Sequence, residues 1–183
     1  MADRRIFEWL GLDGKGVPYW LHALNLVWSD KGADHDLLVY RRTADLLATD
    51  IPYWAALIRD PSWRECLAAC TCLLASGRKD FFDDLCFRFR EGSWVAPQIA
   101  VALGLLHGAS AKTFLETLLA NPGFRKRPKQ AISAHHVLLR LGVQPMDDIA
   151  TESWNTLEQD DAIVAADTVN EQWDFWSTKI GPL

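Results

Sequence analysis

The sequence predicts an all-α protein built as a row of antiparallel helical hairpins. Three observations carry that expectation. Apolar residues recur at spacings of 3 and 4, as they do on one face of a helix. Strand-like alternation never persists beyond a few residues. Apolar patterns also return at steps of 28 to 34 residues, roughly the length of one helical hairpin.

In chain order, Ile6 to Leu10 reads as a short helix closed by Gly11 and Gly14. Pro18 opens the next, through about Trp28, because proline suits a first helical position. Asp34 is the expected cap of a helix running to Ala48, with Leu37, Tyr40, Ala44 and Leu47 on one face. Pro52 opens a short helix to Ile58. Ser62 is placed to cap a helix to about Ala75, which Gly77 ends. Asp80 opens one to Phe89. Trp94 to Leu106 and Ala111 to Ala120 are separated by a break at His107-Gly108. A long turn at Asn121-Pro122-Gly123 precedes Gln130 to Leu141. Pro145 opens a helix near Met146 to Ala150, and the tail offers Thr156 to Val169 and Glu171 to Thr178.

Val17-Pro18-Tyr19-Trp20 is echoed by Ile51-Pro52-Tyr53-Trp54 at an offset of 34. Leu73-Leu74, Leu105-Leu106 and Leu138-Leu139 follow one another at 32 and 33. First helices of hairpins are therefore expected near 34, 62, 95 and 129, and second helices near 18, 52, 80, 112 and 146. Each hairpin has an apolar stripe that only a neighbour can cover, so end units must differ. Residues 1–33 read as an N-terminal cap and 150–183 as an acidic C-terminal cap that docks through Ile163, Val164, Trp173 and Trp176. The small residues Ala68-Ala69, Ala100, Ala102 and Gly104 let helices approach closely.

The double leucine, the early Pro97 and the helix starts at Asp80 and Lys112 resemble HEAT-like repeats, the α-solenoid family, over residues 62–142. That resemblance implies one domain, a short right-handed α-solenoid of about five hairpins. It further implies a protein-binding scaffold, since HEAT-like arrays generally act as one. Some small HEAT-like proteins bind nucleic acid instead, among them bacterial alkylpurine DNA glycosylases. Those enzymes use a cleft with tryptophans, basic residues and an aspartate, and Trp20, Trp54, Arg59, Asp60 and Trp63 are this chain's counterparts in kind.

Composition is that of an ordinary globular domain, with 49% apolar and 23% charged residues. No apolar run reaches the roughly 20 residues of a spanning helix, and the start is too short in apolar residues for a signal peptide. A cytoplasmic location is expected. The net charge of −5 is unevenly spread: −2 over residues 1–60, +5 over 61–140 and −8 over 147–183. Such asymmetry bears on partners rather than on fold. Nucleic acid fits less well, because the sequence pI is near 5.5.

Two surfaces follow. In a HEAT-like array the second helices line the concave side, so Trp20, Trp54 and Phe81 would floor a groove. Arg125, Lys126, Arg127 and Lys129 fall in one inter-unit turn, and Arg88 and Arg90 in the equivalent turn one unit earlier. Stacking would join them into a basic ridge for an acidic protein surface, unless the acidic tail covers it from within or pairs with a second copy. Cys66, Cys70, Cys72 and Cys86 lack the paired short spacings of a zinc site and read as small buried residues. His135 and His136 point about 100° apart on a helix and cannot readily share one metal. No phosphate loop, nucleophile elbow or dinucleotide fingerprint is present. The expectation is a non-catalytic protein-binding module, an adaptor or an inhibitor such as an immunity-type protein that neutralises a bacterial toxin, with no cofactor and no metal.

Overall fold

The structure, a computed structural model, describes residues 5–144 and 156–180. The protein is all-α, and the described residues hold no strand beyond an isolated bridge between Leu12 and Pro18. The helices are α1 (Arg5–Leu10), α2 (Tyr19–Asn25), α3 (Ala33–Leu47), α4 (Ile51–Arg59), α5 (Trp63–Ser76), α6 (Phe82–Glu91), α7 (Ala96–Leu119), α8 (Pro122–Arg125), α9 (Pro128–Arg140) and α10 (Thr156–Lys179). None is long and apolar enough to cross a membrane.

Most starts and stops follow local chemistry. Asp50 caps α4 by accepting from the Tyr53 amide at 3.1 Å. Gly77, at φ 68°, ends α5 in the left-handed conformation that glycine tolerates. Several expectations are corrected. Asp34 does not cap α3; it lies in the first turn, and its carboxylate meets Lys179 Nζ at 2.9 Å. Asp80 does not open α6, which starts after a left-handed Phe81, and Asp80 pairs with Arg78 instead. The expected break at His107-Gly108 is present: Gly108 leaves helical geometry, at φ 43° and ψ −108°, and divides α7 into two segments. The turn after Asn121 contains the short α8, opened where Asn121 accepts from the Gly123 amide. The tail is one helix, not two. The helix expected near Met146 to Ala150 lies outside the described residues.

The helices expected to lead each hairpin, α3, α5, α7 and α9, touch in chain order. The middle of that row is enclosed. Every residue from Cys66 to Ala75 is buried, as is every residue from Ala96 to Gly104. A helix that is apolar all round must be surrounded, and α5 touches α1, α2, α3, α4, α7 and α10.

Helix α10 supplies much of the enclosure. It runs beside α9 in the same direction, with Asp161 near Lys129 at one end and Asp174 against Arg140 at the other. It then reaches the first units. Gln172 donates to the carbonyls of Ala23 and Leu24 at 2.8 and 3.2 Å, and Phe175 stacks on Trp28 at 4.5 Å. Trp173 and Trp176 dock as expected, but Ile163 and Val164 do not. Both are about 60% exposed, because α10 turns their side away from α7 and α9.

Gly104 lies at a close approach of α7 to α9 and α10. A Cβ there would lie 2.6 Å from the Trp173 ring and 2.6 Å from Val137 Cγ1. Gly→Ala inside a helix normally stabilises by about 1 kcal/mol. Here Gly104→Ala is expected to destabilise by about 1–3 kcal/mol, because overpacking outweighs propensity. Urea titration followed by circular dichroism reads the sign, and a gain in stability would show that the helices are not in contact. Gln172→Leu removes the donor to two buried carbonyls and is expected to cost about 2 kcal/mol or more. Gln98→Leu should cost less in the same assay, because the carbonyl of Leu24 that it serves keeps Gln172.

Candidate functional site

The six basic positions of the expected ridge separate into three environments. Arg88 is buried, and its guanidinium donates to the carbonyl of Pro61 at 3.0 Å, tying α6 to the turn before α5. Arg125 is turned inward onto the carbonyl of Leu119 and closes the end of α7. Lys129 lies over the Trp94 ring at 5.3 Å, with Asp161 of α10 at 3.9 Å. The acidic tail therefore reaches one member of the ridge from within.

Arg90 and Arg127 are brought together, with exposed Lys126 beside them in sequence. Arg127 Nη1 donates to the carbonyl of Arg90 at 2.7 Å, across 37 positions of chain. The Arg90 guanidinium stands over the Phe114 ring at 5.5 Å. The two arginines form one wall of an open cleft of about 380 Å³, shared with Thr117, Leu118, Asn121, Gly123 and Phe124. No carboxylate is among the described residues that line it. Its chemistry is that of a receptor for an anionic group next to an apolar one, since guanidinium presents a planar fork of donors to carboxylate or phosphate.

The aromatic groove is not one surface. Trp54 is fully buried, donates from Nε1 to the carbonyl of Ala69 and packs on Phe81 at 5.2 Å. It offers nothing to a partner. Phe81 is half-buried against it. Trp20 belongs to a different group, between Phe7 and Trp63 at 5.7 Å each. Trp63 in turn meets Trp94 at 5.0 Å, and Trp94 is 58% exposed. Sequence reasoning missed Trp94, although a tryptophan in the Gly92-Ser93 turn ahead of a proline-opened helix marks a surface position. The glycosylase-like set is also dispersed in role: Arg59 pairs with Asp84, and Asp60 accepts from the Ser62 amide as a turn residue.

The most chemically suggestive cluster is structural. His22 lies between two carboxylates, with Nε2 at 3.3 Å from Asp13 and Nδ1 at 2.7 Å from Asp36. Asp36, fully buried, also accepts from the hydroxyl of Ser29 and its amide. Ser29 faces the aspartate and not the imidazole, so the three do not follow the serine–histidine–aspartate order of a catalytic triad. Asp13 accepts from the amides of Val17 and Lys15, each at 2.8 Å. The cluster staples the Leu12 to Pro18 loop and the start of α3 onto α2.

The remaining histidines are packed. Burial pushes the pKa of His107 and of His136 down, and His107 rests on Phe82. The four cysteines are free and buried. A hydrogen bond with Cys66, then burial, raises the Cys70 thiol; burial raises Cys72 and pushes Cys86 up to about 12. Cys70, Cys72 and Cys86 are therefore not thiolates near neutrality, as a nucleophile or metal ligand would be. Among the described residues no group of three or more His, Cys, Asp or Glu can hold a metal ion.

No model of a known protein family, no curated protein and no solved structure matches this chain. The reading of its function rests on the geometry above.

The Val17 amide, foremost, holds the Asp13 carboxyl below the ordinary 3.8. A depressed native pKa means that the stabilisation is present above the unfolded value and is lost as pH falls through the native one. Stability should therefore drop as pH falls below 3.8. Asp13→Asn should lower stability at neutral pH and flatten that acid limb, as read by thermal melts over a pH series. An acid limb identical in the variant would remove Asp13 as its source.

Proposed function

We propose that this chain is a non-catalytic protein-binding module, an adaptor or inhibitor, whose recognition element is the Arg90–Arg127 cleft. The observation that carries the reading is a cleft lined by Arg90 and Arg127, from successive helical units, together with Leu118 and Phe124, with no acid among its described lining residues. Exposed charge pairs contribute little alone, but a cluster of one sign steers an acidic partner, and a cleft with an apolar floor adds desolvated contact. An immunity-type inhibitor of a toxin is one instance of such a module. In this reading the row α3, α5, α7 and α9 is a short HEAT-like solenoid, closed on itself by α10.

The test uses a labelled acidic peptide bearing leucines, titrated by fluorescence anisotropy. Arg90→Glu with Arg127→Glu should weaken binding by about tenfold or more, in the range of loss expected for truncated charge contacts. The circular dichroism spectrum should not change. Arg125 is left in place because it closes α7. Single- and double-stranded oligonucleotides are run in parallel. Tighter binding to these at physiological salt would replace the acidic protein by nucleic acid, and no binding to any of the three probes would end the proposal.

A further inference from the structure

A second hollow, of about 310 Å³, opens where α1 and α2 meet the start of α5. Phe7, Trp20, Ser62, Arg64 and Glu65 line it, and it shares no residue with the Arg90–Arg127 cleft. Phe7 and Trp20 are half-buried, with ring centroids 5.7 Å apart, and supply its apolar wall.

Charges of both signs line this hollow, and neither is neutralised by the chain. Oε2 of Glu65 is buried without a hydrogen-bond partner, and no cation pairs with this carboxylate among the described residues. Arg64 is exposed and rests on the Trp63 ring at 4.6 Å, and it meets no carboxylate among the described residues. Ser62 is the N-cap of α5, yet its side chain accepts nothing from the first amides of that helix. Those amides have no partner within the helix. A carboxylate oxygen buried without a donor is costly, and each such group calls for an explanation. The dipole of α5 favours an acid in its first turn, but an exposed acid would serve it equally.

The mixture of charges narrows what the hollow can hold. A simple cation would gain from Glu65 and be opposed by Arg64. A simple anion would gain from Arg64 and be opposed by Glu65. A molecule that carries an ammonium next to a carboxylate uses both. Ser62 and the uncapped start of α5 add donors for the carboxylate.

We infer that this hollow binds a free α-amino acid with an apolar side chain. The ammonium pairs with Glu65, the carboxylate with Arg64 and the start of α5, and the side chain lies against Phe7 and Trp20. Sites for small molecules begin at about 300 Å³, so the hollow suits a ligand of this size.

Isothermal titration calorimetry of the full chain with L-leucine and L-phenylalanine tests this. L-leucine amide, which lacks the carboxylate, and N-acetyl-L-leucine, which lacks the ammonium, are titrated beside them. At least one free amino acid should bind with a dissociation constant of about 1 mM or tighter. Both derivatives should bind about tenfold or more weakly than L-leucine, and Glu65→Gln and Arg64→Gln should each weaken the free amino acid by a similar factor. Neither side chain has an ion pair to lose, so the melting temperature of the unliganded variants should hold. The derivatives probe the unaltered protein, so that comparison does not depend on how the variants fold. No binding of either amino acid at millimolar concentration would overturn the inference. So would a derivative that binds as well as L-leucine, since only one charge would then be recognised. Binding that ignores Glu65→Gln would also overturn it, because the site would lie elsewhere.

Discussion

Two glutamine amides hold the end of α2, and the arrangement of the whole chain depends on them. Helix α2 stops at Leu26, a residue other than glycine in the left-handed conformation, at φ 52°. The carbonyls of Ala23 and Leu24 are left facing the interior, where unpaired backbone oxygens are costly. Gln98 of α7 and Gln172 of α10 donate to them. Trp176 donates from Nε1 to Oε1 of the same Gln172, which fixes which end of the amide faces α2. Once α10 is anchored there, it lies alongside α9 and against α7, and the absence of a side chain at Gly104 lets it lie close. The middle of α5 is buried chiefly by α3, α4, α7 and α2, with α10 adding a smaller contact.

The same logic explains how the charges divide. Several arginines are used as long-reach donors to carbonyls at or near helix ends. Arg88 serves Pro61, Arg125 serves Leu119, and Arg41 serves Ala75 and Lys179. Of the basic positions in the two candidate surfaces, Arg90, Lys126 and Arg127 stay exposed in one place and Arg64 in another, while Lys129 is partly buried over Trp94. The buried cluster of Asp13, His22, Asp36 and Ser29 fits the pattern. It looks like catalytic machinery in composition, yet each polar atom is aimed at a neighbour that needs fixing, and the imidazole is enclosed.

How much of this was legible in the sequence can be argued element by element. The helices of the described residues were nearly all visible, because Pro18, Pro52, Pro97 and Gly77 act locally and apolar spacing is a local property. Asp34 and Asp80 misled, since an acid near a helix start has more than one use: a distant lysine claimed the first and a neighbouring arginine the second. The joining of Arg90 to Arg127 was legible as an offset between equivalent turns. The inward turn of Arg88 and Arg125 was not, because it depends on which carbonyls packing leaves unpaired.

The amino-acid order by itself determined that the chain is helical, where most of its helices begin, and that its middle is basic and its tail acidic. Those properties follow from backbone preference, spacing and formal charge, none of which needs a neighbour. Tertiary structure alone decided which aromatics are surface. Trp54 and Trp94 differ little as residues, but one lies beneath Phe81 and the other at the rim of α10. It also decided that the tail returns to the first helices, since the carbonyls that call for Gln172 lie almost a whole chain length away. Burial and long-range pairing are properties of the packed molecule, and no local pattern carries them.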